Sequence, residues 1–176
     1  MAAIDQATVA NYIQTGLNGN TTNIKGRALE DLVSYVFGLV PGITITHRNA
    51  LNVFDSEEVD VALWNEIDQL GFFFPPNLIL VECKNWSKAV GSAEVSWFDT
   101  KLRNRGLDLG ILVAARGITG DANDLTAAHT VVAAALRERR RLVVITTDEL
   151  AGLVSTEELA TLVKRKLCDL MVKGAI

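Results

Sequence analysis

Two short apolar runs, separated by one amphipathic stretch, constrain this chain most. The runs are LILVECK at 78–84 and LGILVAA at 109–115. The second is nearly continuous in its apolarity, as in a strand covered on both faces. Between them, SAEVSWFDTKLRNR at 92–105 spaces Val95, Phe98 and Leu102 for one face of a helix. Strand, helix and strand in that order describe a parallel crossover. An all-helical or all-strand chain has no use for it.

The flanking segments extend this α/β pattern. Asp5 is placed to cap a first helix running through Ile13, and Asn23 to cap a second, IKGRALEDLVSYVFGL. Leu29, Leu32, Val33, Val36 and Phe37 give the second helix its apolar stripe, and Pro41 and Gly42 end it. ITITH at 43–47 and EVDVALW at 58–64 alternate as strands, and a loop at 65–77 leads into LILVECK. Beyond the crossover, 117–124 reads as a loop offering a helix cap. An alanine-rich helix with a basic end follows at 124–140, then a strand at 141–146 and a helical tail at 156–172. The expected order is α-α-β-β-β-α-β-α-β-α. Three consecutive strands form an antiparallel meander, and the crossover adds parallel strands to make a mixed sheet flanked by helices. No linker, repeat or biased tract divides the chain. The 176 residues are expected to form a single domain, with a helical extension at 1–22, a core at 24–150 and a final helix at 156–172.

The LILVECK run ends in two charges. Strand alternation puts Glu82 and Lys84 on one face with Leu80, and Ile79, Val81 and Cys83 on the other. Charges at the end of a buried strand are costly unless paired or bound to an ion. A strand running out into solvent with an incidental ion pair is the plainer alternative. Asp60, however, interrupts the neighbouring strand as well. If that strand pairs antiparallel with LILVECK, Asp60 comes beside Glu82 on the same face. Like charges held together repel, so removing either is expected to relieve the metal-free fold. A hard divalent cation with oxygen ligands also removes the conflict. Glu30 flanks the apolar stripe of its helix, where it can reach the sheet edge. Carboxylates holding Mg²⁺, with a lysine beside them, suit phosphodiester hydrolysis, since the cation activates water and the ammonium meets developing charge.

Asp60 followed by VECKNW at 81–86 resembles the PD-(D/E)xK nuclease superfamily, in its Mrr-like restriction-endonuclease branch. The resemblance runs over roughly residues 24–150, through the helix carrying Glu30, the EVDVAL strand and the segment from ILVECKNW to GITGD. It implies a restriction-endonuclease-like mixed sheet flanked by helices, and a metal-dependent DNA endonuclease of restriction or repair. It implies Asp60, Glu82 and the carbonyl of Cys83 as ligands of Mg²⁺, with Mn²⁺ able to substitute. Lys84 takes the place of the catalytic lysine, and Glu30 that of an acidic helix residue in the resolvase-like members. The chain departs from the pattern at Val59, where a proline often precedes the aspartate.

A DNA partner agrees with the local charge. Five basic residues (Lys84, Lys88, Lys101, Arg103, Arg105) face two acidic ones (Glu94, Asp99) between 84 and 105, within a chain of net charge −4. Lys88, Lys101, Arg103 and Arg105 are the candidate phosphate contacts. The last three also read as a solvated helix end. Trp97 is expected to pack in the core beside Phe98, and Arg137, Arg139, Arg140 and Arg141 to suit a helix dipole. His47 and His129 lack partners at metal-ligand spacing, and GITGD lacks a phosphate-loop lysine. No reader module is apparent, so target choice falls to loops, a dimer partner or a separate chain. Two-fold homodimerisation is expected, with GFFFPPN as a contact. Two cysteines in apolar settings, no secretion signal and no membrane-length run point to the cytoplasm. The competing functions are a silent nucleic-acid-binding module of the same fold and a nuclease acting on RNA.

Overall fold

The computed structural model describes residues 2–52, 56–121 and 126–174. Helices α1 (Gln6–Asn18) and α2 (Thr22–Gly38) precede a meander of β1 (Ile43–Leu51), β2 (Glu58–Asn65) and β3 (Leu78–Lys84). Then come α3 (Ser92–Asn104), β4 (Leu109–Ala114), α4 (Ala128–Arg137), β5 (Arg141–Ile145), α5 (Thr147–Ala151) and α6 (Thr156–Lys173). The strands lie in the order β1-β2-β3-β4-β5. β1, β2 and β3 pair antiparallel, and β3, β4 and β5 pair parallel. The expected mixed α/β sheet is therefore the observed one, with β3 as the strand where the two pairing modes meet.

Local chemistry sets the boundaries. Asp5 caps α1, its carboxylate accepting from the N–H of Ala7 at 3.3 Å and of Thr8 at 3.1 Å. The cap of α2 is Thr21 rather than Asn23: Thr21 is extended, and its hydroxyl accepts from the Ile24 N–H at 3.2 Å. β1 runs four residues beyond ITITH, with a bulge between Ile45 and His47. The unanticipated α5 starts from a reciprocal cap in which Thr146 and Glu149 satisfy each other's backbone N–H groups. The alanine-rich helix begins at Ala128, later than the expected start at residue 124, because the described residue before it, Ala127, has a non-helical backbone with φ 48°; residues 122–125 lie outside the described residues.

Two apolar layers cover the sheet. On one face Leu29, Leu32, Val33, Val36 and Phe37 of α2 join Val61, Leu63, Ile79, Val81 and residues of α6. On the other, Val95, Phe98 and Leu102 of α3 and Val132 and Ala135 of α4 pack on Ala62, Leu80, Leu112 and Val144. Gly110 lets α3 settle onto β4, because a Cβ there would stand 2.7 Å from both Leu102 and Phe98. Phe72 is core, whereas Phe73 of the same loop is exposed beneath the Lys164 ammonium. Both cysteines are free thiols. Among the described residues no helix is long and apolar enough to cross a membrane.

Candidate active site and metal centre

The β2–β3 hairpin is in the register that the sequence pattern demands. Val61 faces Val81 and Ala62 faces Leu80, so the ladder reaches its open end at Asp60 and Glu82. There the Asp60 carboxylate accepts the Cys83 backbone N–H at 2.7 Å. That bond sets Asp60 one peptide away from Glu82. The simple alternation of β2 changes phase at this point. Val61 and Leu63 belong to the α2-side core, but Val59 packs with Ala62 on the α3 side. Asp60 lines an open cavity of about 450 Å³ with Asn23, Arg27, Glu30, Asn49 and Lys84. The two carboxylates thus approach across the rim of the sheet instead of standing side by side on one flat face.

Glu82 is 3 % exposed and both its oxygens are held. Oε1 lies 2.8 Å from the Lys84 ammonium and Oε2 lies 2.7 Å from that of Lys101. Burial and the neighbouring Glu82 charge push Asp60 up to about 6, despite the Cys83 N–H and the two lysines. Burial works against the Lys84 ammonium, but the Glu82 carboxylate and its hydrogen bond outweigh this and raise its pKa. Burial, then the charges of Asp60, Glu30 and Glu82, push the Cys83 thiol well up, so it is an inert packing group. Glu30 is buried on α2, accepting from Asn49 Nδ2 at 2.8 Å with the Arg48 guanidinium at 3.7 Å.

Several positions differ from the sequence-based expectation. Lys101 is not a surface phosphate contact. It is 4 % exposed, because α3 turns it toward the sheet beside Leu102. Arg105 is likewise engaged, ion-paired with the buried Glu57, which also accepts from Asn104 Nδ2 at 2.7 Å. Lys88 and Arg103 are exposed. Trp97 is 47 % exposed rather than core, since it falls off the Val95–Phe98–Leu102 stripe. Arg27 and Asn49 line the site without having been anticipated. Arg27 precedes Glu30 by one helical turn, a spacing that could have revealed it.

The donor set suits a hard divalent cation, although among the described residues no three His, Cys, Asp or Glu side chains converge as a ready cluster. Asp60 and Glu82 could supply carboxylate oxygens, and the Cys83 carbonyl, which follows Glu82 directly in the chain, could add a third. A cation there would remove the repulsion that weakens Asp60 as an acid.

No curated protein matches the chain. The family model described as restriction endonuclease, that of the Mrr catalytic domain, matches residues 22–154, which include α2, the whole sheet and every residue of the site. The chain belongs to this restriction-endonuclease family of nucleases, in the Mrr-like branch of the PD-(D/E)xK superfamily.

Proposed function

We propose that the protein is a Mg²⁺-dependent DNA endonuclease of restriction or repair, with Mn²⁺ able to replace Mg²⁺. The observation that carries this reading is the Lys84–Glu82 contact of 2.8 Å beside an Asp60 pushed up to about 6. Two carboxylates kept close against their repulsion, with an ammonium in reach, are an unfavourable arrangement for a merely structural strand end. Asp60, Glu82 and the Cys83 carbonyl would hold the cation, which supplies an activated water and polarises the phosphate. Lys84 meets the negative charge that develops on the phosphate oxygens as the water attacks. Glu30, turned toward the same cavity from α2, orients solvent there with Asn49. Lys88 and Arg103 supply backbone contacts to DNA, with the half-exposed rings of Trp86 and Trp97 nearby. A single site cuts one strand per visit, so a double-strand break calls for two copies or two visits; a two-fold homodimer supplies the two copies, and target choice falls to loops, the dimer partner or a separate chain. The setting is the cytoplasm.

One observation favours a second reading, a binding module of this fold that does not cut: both Glu82 oxygens are already neutralised by lysines. Supercoiled plasmid incubated with Mg²⁺, Mn²⁺ or EDTA separates the two. The endonuclease nicks or linearises plasmid with either cation and is silent in EDTA. A protein that shifts plasmid on a gel but never cuts it is the silent module, and one that cuts only RNA corrects the substrate.

A further inference from the structure

One ammonium is enough to neutralise a carboxylate, yet Glu82 has two. Lys84 and Lys101 approach different oxygens at almost the same distance, 2.8 and 2.7 Å. Their surroundings are not alike. The Lys84 side chain is 23 % exposed and lines the open cavity with Asp60 and Glu30. The Lys101 side chain is 5 % exposed, closed in between α3 and the sheet. The turn carrying Lys101 is itself tied down. Arg105 donates to the Lys101 carbonyl at 3.1 Å and is ion-paired with Glu57, just ahead of β2. The strand bearing Asp60 and the helix bearing Lys101 are therefore fastened to each other on the side away from the cavity.

We propose that Lys101 is a positioning residue: it keeps Oε2 of Glu82, leaving Oε1 as the single exchangeable position, which Lys84 gives up when a divalent cation enters. This rests on the metal-dependent reading above and adds to it an order of events. A carboxylate free at both oxygens could turn and take the cation in several ways, or give both oxygens to Lys84. Anchored at Oε2, it presents one oxygen at one angle to the rim. The cation's arrival and the release of Lys84 toward phosphate then become one event, so the lysine is delivered only when the metal is present. The fixed ammonium also keeps Glu82 compensated while Lys84 is away.

Nitrogen-15 spectra of the lysine ammonium groups follow both side chains in the unaltered protein, with Lys84→Arg and Lys101→Arg each removing one signal for assignment. Addition of Mg²⁺ is expected to move the Lys84 signal and speed its hydrogen exchange, while the Lys101 signal stays in place and protected. Movement of the Lys101 signal, or an unmoved Lys84 signal under conditions where calorimetry records cation binding, overturns the proposal. Lys101→Met gives a second measure, with the fold checked by circular dichroism. Its Mn²⁺ affinity should fall at least tenfold, whereas that of Lys84→Met should hold or rise. A folded Lys101→Met that binds Mn²⁺ as tightly as the parent also overturns it, and if that variant does not fold, the spectra decide. A parent that binds no cation defeats the metal-dependent reading itself, an outcome that the calorimetry distinguishes from failure of the Lys101 role alone.

Discussion

Asp60 and Glu82 carry the same charge at neighbouring strand ends, and they live under opposite conditions. Glu82 is enclosed on the α3 side, with an ammonium on each oxygen. Asp60 opens onto the α2-side cavity, with a backbone N–H as its hydrogen-bond partner and a pKa pushed up to about 6 by burial and by Glu82. Burial therefore does not decide whether a carboxylate strains a fold; its counter-charges do. One side of the site is an anchor that is complete without metal. The other is held ready, and is relieved only by a proton or a cation.

The contrast breaks most visibly if both carboxylates respond alike to removal. Glu82→Ala strands the buried Lys101 ammonium and should cost about 3–5 kcal/mol in urea unfolding, along with all cleavage. The charge pattern alone led to the opposite sign, since it showed the repulsion but not the two lysines. Lys84→Ala comes next. It should slow plasmid nicking on the order of a hundredfold or more while leaving cation and DNA binding in place, as expected of a group acting on transition-state charge.

Asp60→Asn should do the reverse of Glu82→Ala, stabilising the protein in EDTA at pH 7 by about 1–3 kcal/mol. Folded Asp60 keeps its proton up to about pH 6, and the unfolded chain only to about pH 4, so native stability falls as pH rises through that window. The parent's melting temperature should drop between pH 4 and 6, and that of Asp60→Asn should not. The smallest effects belong to the surface. Lys88→Ala and Arg103→Ala should each lower the salt dependence of DNA binding by about one unit of slope without altering the cation requirement. Arg105→Ala should act instead through stability, because the buried Glu57 loses its ion-pair partner and keeps the Asn104 amide. Glu30→Ala should reduce cleavage less than any change at Asp60, Glu82 or Lys84.

The sequence revealed what depends on periodicity and hid what depends on packing angle. LILVECK begins and ends as β3 does, since its alternation and its terminal charges lie within seven residues. Asp60, Glu82 and Lys84 stood out because each interrupts an apolar strand. The helix–strand order followed from two periods, one near 3.6 and one of 2. Lys101 could not be recognised in this way. Its partner lies on another element, and only the close seating of α3 over Gly110 turns it inward. The phase change at Asp60 has no local signal either, and His47, Arg48 and Asn49 give no alternation that would have extended β1. The Thr146–Glu149 cap, by contrast, was present in the sequence as a threonine followed three residues later by a glutamate.

In the proposed metal-dependent enzyme, Asp60 is the half of the site that waits for a cation. Calorimetric titration of Mn²⁺ into metal-stripped protein, with Asp60→Asn and Lys84→Ala alongside, tests it most directly. Binding by the parent, its loss in a well-folded Asp60→Asn and its retention in Lys84→Ala are expected. Equal Mn²⁺ binding by the parent and Asp60→Asn, or none by the parent, would contradict this role of Asp60.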